Sequence, residues 1–353
     1  MVRHGASPAA ARVAFYRERE DMPPIPLLIC DDSNMARKQL LRALPADWDA
    51  TITQAVNGRE ALQAVREGKG DVMLLDLTMP DMDGYQVLAA LREQGLHSKV
   101  IVVSGDVQDQ ALRRVRELGA LAFIKKPAEP EELRRVLLKA GLLEKSPGAA
   151  LRGFTDSTIH IGFIDALREA INVAMGQAAA MLAKVLGVFI HLPVPNVNML
   201  EASELHMVLA DVQKSQPTTA ICQGYIGGGI AGEAMLIFHD CDIADLARLM
   251  NRSALDYSDL EMLLDLSSVI IGACLSGLAQ QLDVVFSQSH PQILGDHGAI
   301  DDLIAVGKQR WKKTLTVEIS YALEGHCIHF DLLLLFTEDS VQLLRDKLDY
   351  LMN

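Results

Sequence analysis

The stretch "LLDLTMPDMDG", Leu74 to Gly84, decides the fold. A short apolar run stops on Asp76, and Pro80, Asp83 and Gly84 then mark a turn and the start of a helix. The same pattern recurs on either side. "IPLLIC" (25–30), "ATITQAV" (50–56), "KVIVVS" (99–104) and "ALAFIKK" (120–126) read as strands, each followed by helical spacing such as "NMARKQLLRAL" (34–44) or "GREALQAVRE" (58–67). Five strands alternating with five helices predict an α/β doubly wound, five-stranded parallel sheet with helices on both faces. Functional groups then gather at the C-terminal ends of the strands.

Those ends carry acids and donors. Asp31 and Asp32 follow the first strand, Asp76 the third, Ser104 closes the fourth, and Lys126 follows the fifth. Crowded carboxylates drive one another toward protonation unless a cation neutralises them. Hard oxygen ligands at one edge of a pocket suit Mg2+ that also binds a phosphoryl group. An Asp oxygen can then act as nucleophile and form an acyl phosphate, while the metal, a hydroxyl and an ammonium absorb charge. A blander use is helix capping, open to Asp32 or Ser33.

Residues 24–143 resemble a CheY-type response-regulator receiver domain. The resemblance rests on Asp31 and Asp32, the D-x-x-M-P-x-x-D-G segment from Asp76 to Gly84, Ser104 followed by Gly105, and Lys126 followed by Pro127. It implies that Asp76 is the phosphoacceptor, that Asp31, Asp32 and Asp76 hold the Mg2+, and that Ser104 and Lys126 bind the phosphoryl oxygens. It places Phe123 at the aromatic position that swings inward with Ser104 on activation. A histidine kinase is the implied phosphodonor.

Composition narrows the rest. The chain has 353 residues, 50% of them apolar and 22% charged, which is the balance of a globular protein of two ordinary domains. A net charge of −13 without a basic stripe argues against a nucleic-acid partner. Five dispersed cysteines with no C-x-x-C pair fit reduced thiols. Without a signal-peptide layout or an apolar window of about 20 residues, the expectation is a cytoplasmic protein with no membrane insertion.

Residues 1–23 read as an N-terminal extension and 144–158, rich in Gly, Pro, Ser and charge, as a linker. From 159 to 353 the style changes to two long helices, about 160–187 and 257–282, interleaved with strand-like runs. A gapless shift of 96 residues lays Leu167 on Leu263, Val173 on Val269, Gly176 on Gly272, Leu182 on Leu278 and Tyr225 on Tyr321. This predicts an α+β unit of two pseudo-symmetric halves, with two long helices on a mixed or antiparallel sheet.

The first helix carries "REAINVAMG" (168–176), which puts Glu169, Asn172 and Gly176 on one face, with Asp165 one turn earlier. Small residues on such a face also serve ordinary close packing. Residues 159–353 resemble the CheC/CheX family of aspartyl-phosphate phosphatases, which are built from two pseudo-symmetric halves and whose active helices carry E-x-x-N. The resemblance implies that Asn172 enters a receiver's pocket and orients a water, while Glu169 engages the receiver's lysine. "DLSS" (265–268) departs from that pattern and offers Asp265 and Ser268, a degenerate second site.

The joint expectation is a response regulator whose output domain dephosphorylates a separate CheY-like receiver under control of Asp76. The alternatives are a non-catalytic docking or dimerisation module and a phosphate sink, and the pseudo-symmetry leaves homo-oligomerisation open. "GGGIAG" (227–232) has dinucleotide-motif spacing but precedes a strand, so it reads as a hairpin turn. His239, His326 and His329 show no metal spacing.

Overall fold

A computed structural model of the protein describes residues 23–143, 162–201, 218–239, 243–250, 259–294 and 313–352. Residues 1–22 of the expected extension and the whole expected linker lie outside the described residues.

The first domain runs β1 (Ile25–Cys30), α1 (Asn34–Ala43), β2 (Ala50–Ala55), α2 (Gly58–Arg66), β3 (Val72–Leu75), α3 (Gly84–Glu93), β4 (Lys99–Ser104), α4 (Asp109–Glu117), β5 (Ala122–Lys125) and α5 (Pro130–Lys139). Its strands pair in parallel in the order β2-β1-β3-β4-β5, the doubly wound sheet that the alternation predicts. Side chains alternate across the sheet. Leu27, Ile29, Leu74 and Val103 meet Leu133 and Leu137 on one face. Leu28, Met73, Leu75 and Val102 meet Leu62 and Leu88 on the other. With both faces covered, β3 is buried at all four positions and can afford no polar residue until it ends. Asp76 is the residue that ends it.

The second domain runs α6 (Phe163–Leu186), β6 (Ile190–His191), β7 (Asn196–Glu201), β8 (Thr218–Gly227), β9 (Ile230–His239), α7 (Ile243–Leu249), α8 (Asp259–Leu282), β10 (Ser287–Gln288), β11 (Gln292–Leu294), β12 (Lys313–Leu323), β13 (His329–Phe336) and α9 (Glu338–Met352). The sheet order is β10-β8-β9-β13-β12-β6, with β11 also beside β8 and β7 beside β12, and every described pairing is antiparallel. The expected repeat is present: α6 and α8 are each 24 residues long, and Phe163 and Asp259 start them at the 96-residue offset.

The halves are interlocked. β6 and β7 follow α6 yet pair with β12, and β10 and β11 follow α8 yet pair with β8. Neither half closes its sheet alone. The two long helices also touch closely, since a Cβ at Gly277 would sit 2.7 Å from the Ala174 Cα.

One expectation is corrected. α8 is long and apolar enough to cross a membrane, with a mean hydropathy of 1.9 over an 18-residue window. That window is 61% buried, so its apolar length is explained by packing against α6 and the sheet. "GGGIAG" is a hairpin: β8 and β9 are joined through Gly228 and Gly229, both at positive φ (58° and 81°), as a two-residue turn of this hand requires. Cys30, Cys222 and Cys274 are buried free thiols and Cys327 is an exposed one, so no disulfide links the described cysteines.

Candidate functional site

Local sequence sets each group at the mouth of the parallel sheet. Asp76 N–H donates to the Cys30 carbonyl at 2.9 Å, which holds the end of β3 beside β1. Ser33 caps α1 by accepting from Ala36 N at 3.1 Å, so Asp32 is not needed as the cap. Asp83 caps α3 through a reciprocal capping box with Gln86. Gly84 follows because α3 starts against the acidic turn: a Cβ there would lie 2.3 Å from the Asp76 carbonyl oxygen.

The result gathers Asp31, Asp32, Asp76 and Lys126, with Ser104 tied to Lys126 through the backbone and Phe123 set apart in the core. Asp31, Asp76, Ser104 and Lys126 are buried and Asp32 is half-buried. Asp31, Asp32 and Asp76 present oxygens within 4.8 Å of one another, and this is the metal-capable acidic group among the described residues. Lys126 Nζ lies 2.7 Å from Asp31 Oδ2 and 3.4 Å from Asp76 Oδ1. Ser104 Oγ accepts from Asp106 N at 3.2 Å. Phe123 is half-buried against the Val102 and Val115 side of the core.

A fifth charged group joins from the second domain: Glu169 Oε1 is 3.1 Å from Lys126 Nζ. Four carboxylates then share one ammonium. Burial raises Asp76 well above the usual carboxylate range, opposed by Lys126 and reinforced by Asp31 and Glu169. Burial, followed by Asp31, pushes Asp32 up to about 6. Burial pushes Glu169 up to about 7, against the pull of Lys126. Burial pulls Lys126 down, but Asp31, Asp76 and Glu169 outweigh it and hold it raised and protonated. Asp31 Oδ2, Asp76 Oδ1 and Lys126 Nζ are close in distance, yet none makes a well-directed hydrogen bond. Buried acceptors in excess over donors, all oxygen, fit a hard divalent cation such as Mg2+.

The remaining expected residues divide. Glu169 and Asn172 are buried, and what covers them is the chain's own receiver-like domain. Asp265 and Ser268 face outward on α8, and the Ser268 hydroxyl donates to the Leu264 carbonyl of its own helix at 2.9 Å.

Sequence reading missed the contacts that hold the domains together. Asp165 accepts from Asn34 N and Met35 N, at 3.2 and 2.9 Å, at the start of α1. The Gln108 amide donates to Ile190 O at 2.8 Å and accepts from Ile190 N at 2.9 Å. Arg114 pairs with Glu324 at 2.6 Å and lies over the Phe189 ring at 4.8 Å. Tyr85 donates to Asp106 and meets Phe189 edge-on, with centroids 6.4 Å apart. Only Asp165 had a local signal, its place on the Glu169 face.

A response regulator receiver domain model matches residues 27–138. The chemotaxis protein CheY of Listeria monocytogenes is 35% identical over 115 residues, 32% of this chain and 96% of that one. A protein-glutamate methylesterase/protein-glutamine glutaminase of a Nocardioides species is 38% identical over 110 residues, and the chain spans only 30% of its length. Among solved structures, Thermotoga maritima FliY aligns over 56% of this chain and 98% of its own, at 19% identity and a TM-score of 0.41. With Asp31, Asp32, Asp76, Ser104 and Lys126 assembled as described and nearly all of a CheY sequence covered, the chain belongs to the response regulator receiver family and is a two-component response regulator.

Proposed function

We propose that the domain following the receiver is an aspartyl-phosphate phosphatase, with Glu169 and Asn172 as its working residues. The observation that carries this is the 3.1 Å ion pair from Glu169 to Lys126, which sets the next turn of α6 against the Ser104–Gly105 loop. The E-x-x-N helix and the two pseudo-symmetric halves support the CheC/CheX resemblance.

In this reading a histidine kinase phosphorylates Asp76, whose carboxylate oxygen attacks phosphorus. Asp31, Asp32 and Asp76 would hold Mg2+, which when bound neutralises charge on the phosphoryl oxygens. Ser104 and Lys126 bind those oxygens. Glu169 grips Lys126 and fixes the helix, and the Asn172 carboxamide, one donor and one acceptor, holds a water in line with phosphorus. The receiver already stabilises the charge, so a positioned nucleophile is the missing part. Any separate CheY-like receiver would have to displace the resident one from this face.

A second reading is favoured by the burial of Asp76: α6 acts only as a cover that denies the phosphoacceptor to its donor. Decay of a phosphorylated receiver separates the two. Catalysis requires Asn172, so Asn172→Ala slows decay, whereas equal rates leave only the cover.

A further inference from the structure

The seat of α6 on the receiver is built from both sides at the level of the backbone. A Cβ on Gly176 would lie 2.1 Å from the Gly105 carbonyl oxygen, and one on Gly105 would lie 3.1 Å from the Asn172 carbonyl oxygen and the Val173 Cα. Two glycines from different domains thus permit one approach. Asp165 places a carboxylate on the free N–H groups at the start of α1, where the helix dipole favours it. Gln108, 1% exposed, ties α4 to β6 by two bonds. Met35 of the receiver is buried in the core cluster of the output domain. Each contact acts on the same placement, with Glu169 on the lysine beside Asp76. Among the described residues the equivalent face of α8 meets no receiver: outside its own helix, a Cβ on Gly272 would meet only the Gln288 side chain, at 3.8 Å.

We infer that the acyl phosphate on which this helix acts is Asp76 of its own chain. This rests on the phosphatase reading above and names its substrate. The water oxygen bonds to phosphorus, the bond from phosphorus to the Asp76 oxygen breaks, and its electron pair returns to the carboxylate. The products are the Asp76 carboxylate, HPO4 2− and one proton released to solvent. Because both groups belong to one chain, the reaction is unimolecular and proceeds at a high effective concentration. Asp76 is 1% exposed while α6 is seated, so a donor histidine reaches it only when α6 is unseated. Reseating then ends the signal, and the chain sets the lifetime of its own phosphorylation.

The test uses the full chain loaded at Asp76 with acetyl phosphate and Mg2+. The wild type is followed over a 100-fold dilution, and the Asn172→Ala chain is followed with and without an excess of a chain carrying Asp76→Asn and an intact Asn172. The expected results are a wild-type half-life independent of concentration, decay on the order of 100-fold slower with Asn172→Ala, and no rescue by the added chain. Asn172→Leu, an uncharged side chain of the same branching that removes both the donors and the acceptor, gives the same loss and excludes a cavity at this buried site as its cause. If the added chain restores fast decay, the phosphatase stands and the own-chain assignment falls. Equal decay of wild type and both variants removes the phosphatase and, with it, this inference.

Discussion

The two halves of the second domain are the same element built twice, and among the described residues only the first long helix seats the receiver's acidic site. Their inner faces agree: Leu167 and Leu263, Leu182 and Leu278, and Tyr225 and Tyr321 are all buried at matching positions, because one sheet core must be filled from both sides. Their outer faces do not. Glu169 reaches a buried lysine, whereas the shorter Asp265 faces outward. Asn172 lies under the receiver, whereas the Ser268 hydroxyl bonds back to its own helix. Phe189 stacks under Arg114, whereas its counterpart Val285 is 84% exposed. Packing constrains a duplicated fold everywhere, but function constrains only the face that meets a partner.

The strongest way to break this comparison is to exchange what the two glycines can bear. Gly176→Ala forces a methyl into the Gly105 backbone, which cannot swing aside as a side chain would. Overpacking of this kind costs about 1–3 kcal/mol, so the seated arrangement weakens by roughly 5- to 160-fold. Amide hydrogen exchange in α1 and in the loop after Ser104 reads this as faster exchange. Unchanged protection would mean the contact is not needed to seat α6.

The acidic cluster sharpens the contrast, because among the described residues α8 contributes to no comparable group. Mg2+ at about ten times its dissociation constant stabilises the chain by about 1.4 kcal/mol, seen as a rise in thermal midpoint. Asp32→Asn removes that rise. A midpoint that ignores Mg2+ in the wild type would disprove the cation assignment.

Arg114→Ala has a smaller effect. The Arg114–Glu324 pair is about one-third exposed on each side, so screening limits it to about 1 kcal/mol or less, including the lost cover over Phe189. A double-mutant cycle with Glu324→Gln measures the coupling. The mildest change is Gly272→Ala, where the new methyl meets the Gln288 side chain at an ordinary contact distance of 3.8 Å and a helix-interior glycine gives way to a better helix former. A gain of about 0.8 kcal/mol is expected in urea unfolding. A loss would show that the α8 face is occupied after all.

The receiver was legible because four separate strand ends each carried a chemical signal, and a parallel sheet has one way to bring them together. The repeat was legible because no gap interrupts it, and the helices start 96 residues apart as the aligned pairs require. Two things were hidden. The apolar length of α8 exceeded what the sequence reading credited, because burial on several sides removes the polar stripe that would identify a core helix. The identity of the receiver on α6 was invisible, because Gln108 and Arg114, Phe189 and Ile190, and Glu324 come from three distant segments and none carries a local pattern. Glu169 and Asn172 announced that a receiver fits there, and only the three-dimensional arrangement places the chain's own there.

The most direct test is the lifetime of phosphorylated Asp76 in the full chain with alanine placed at Asn172 or, separately, at Ser268. One working half predicts a lifetime about 100-fold longer for Asn172→Ala and an unchanged lifetime for Ser268→Ala. Equal lifetimes for both variants and the wild type would contradict the account.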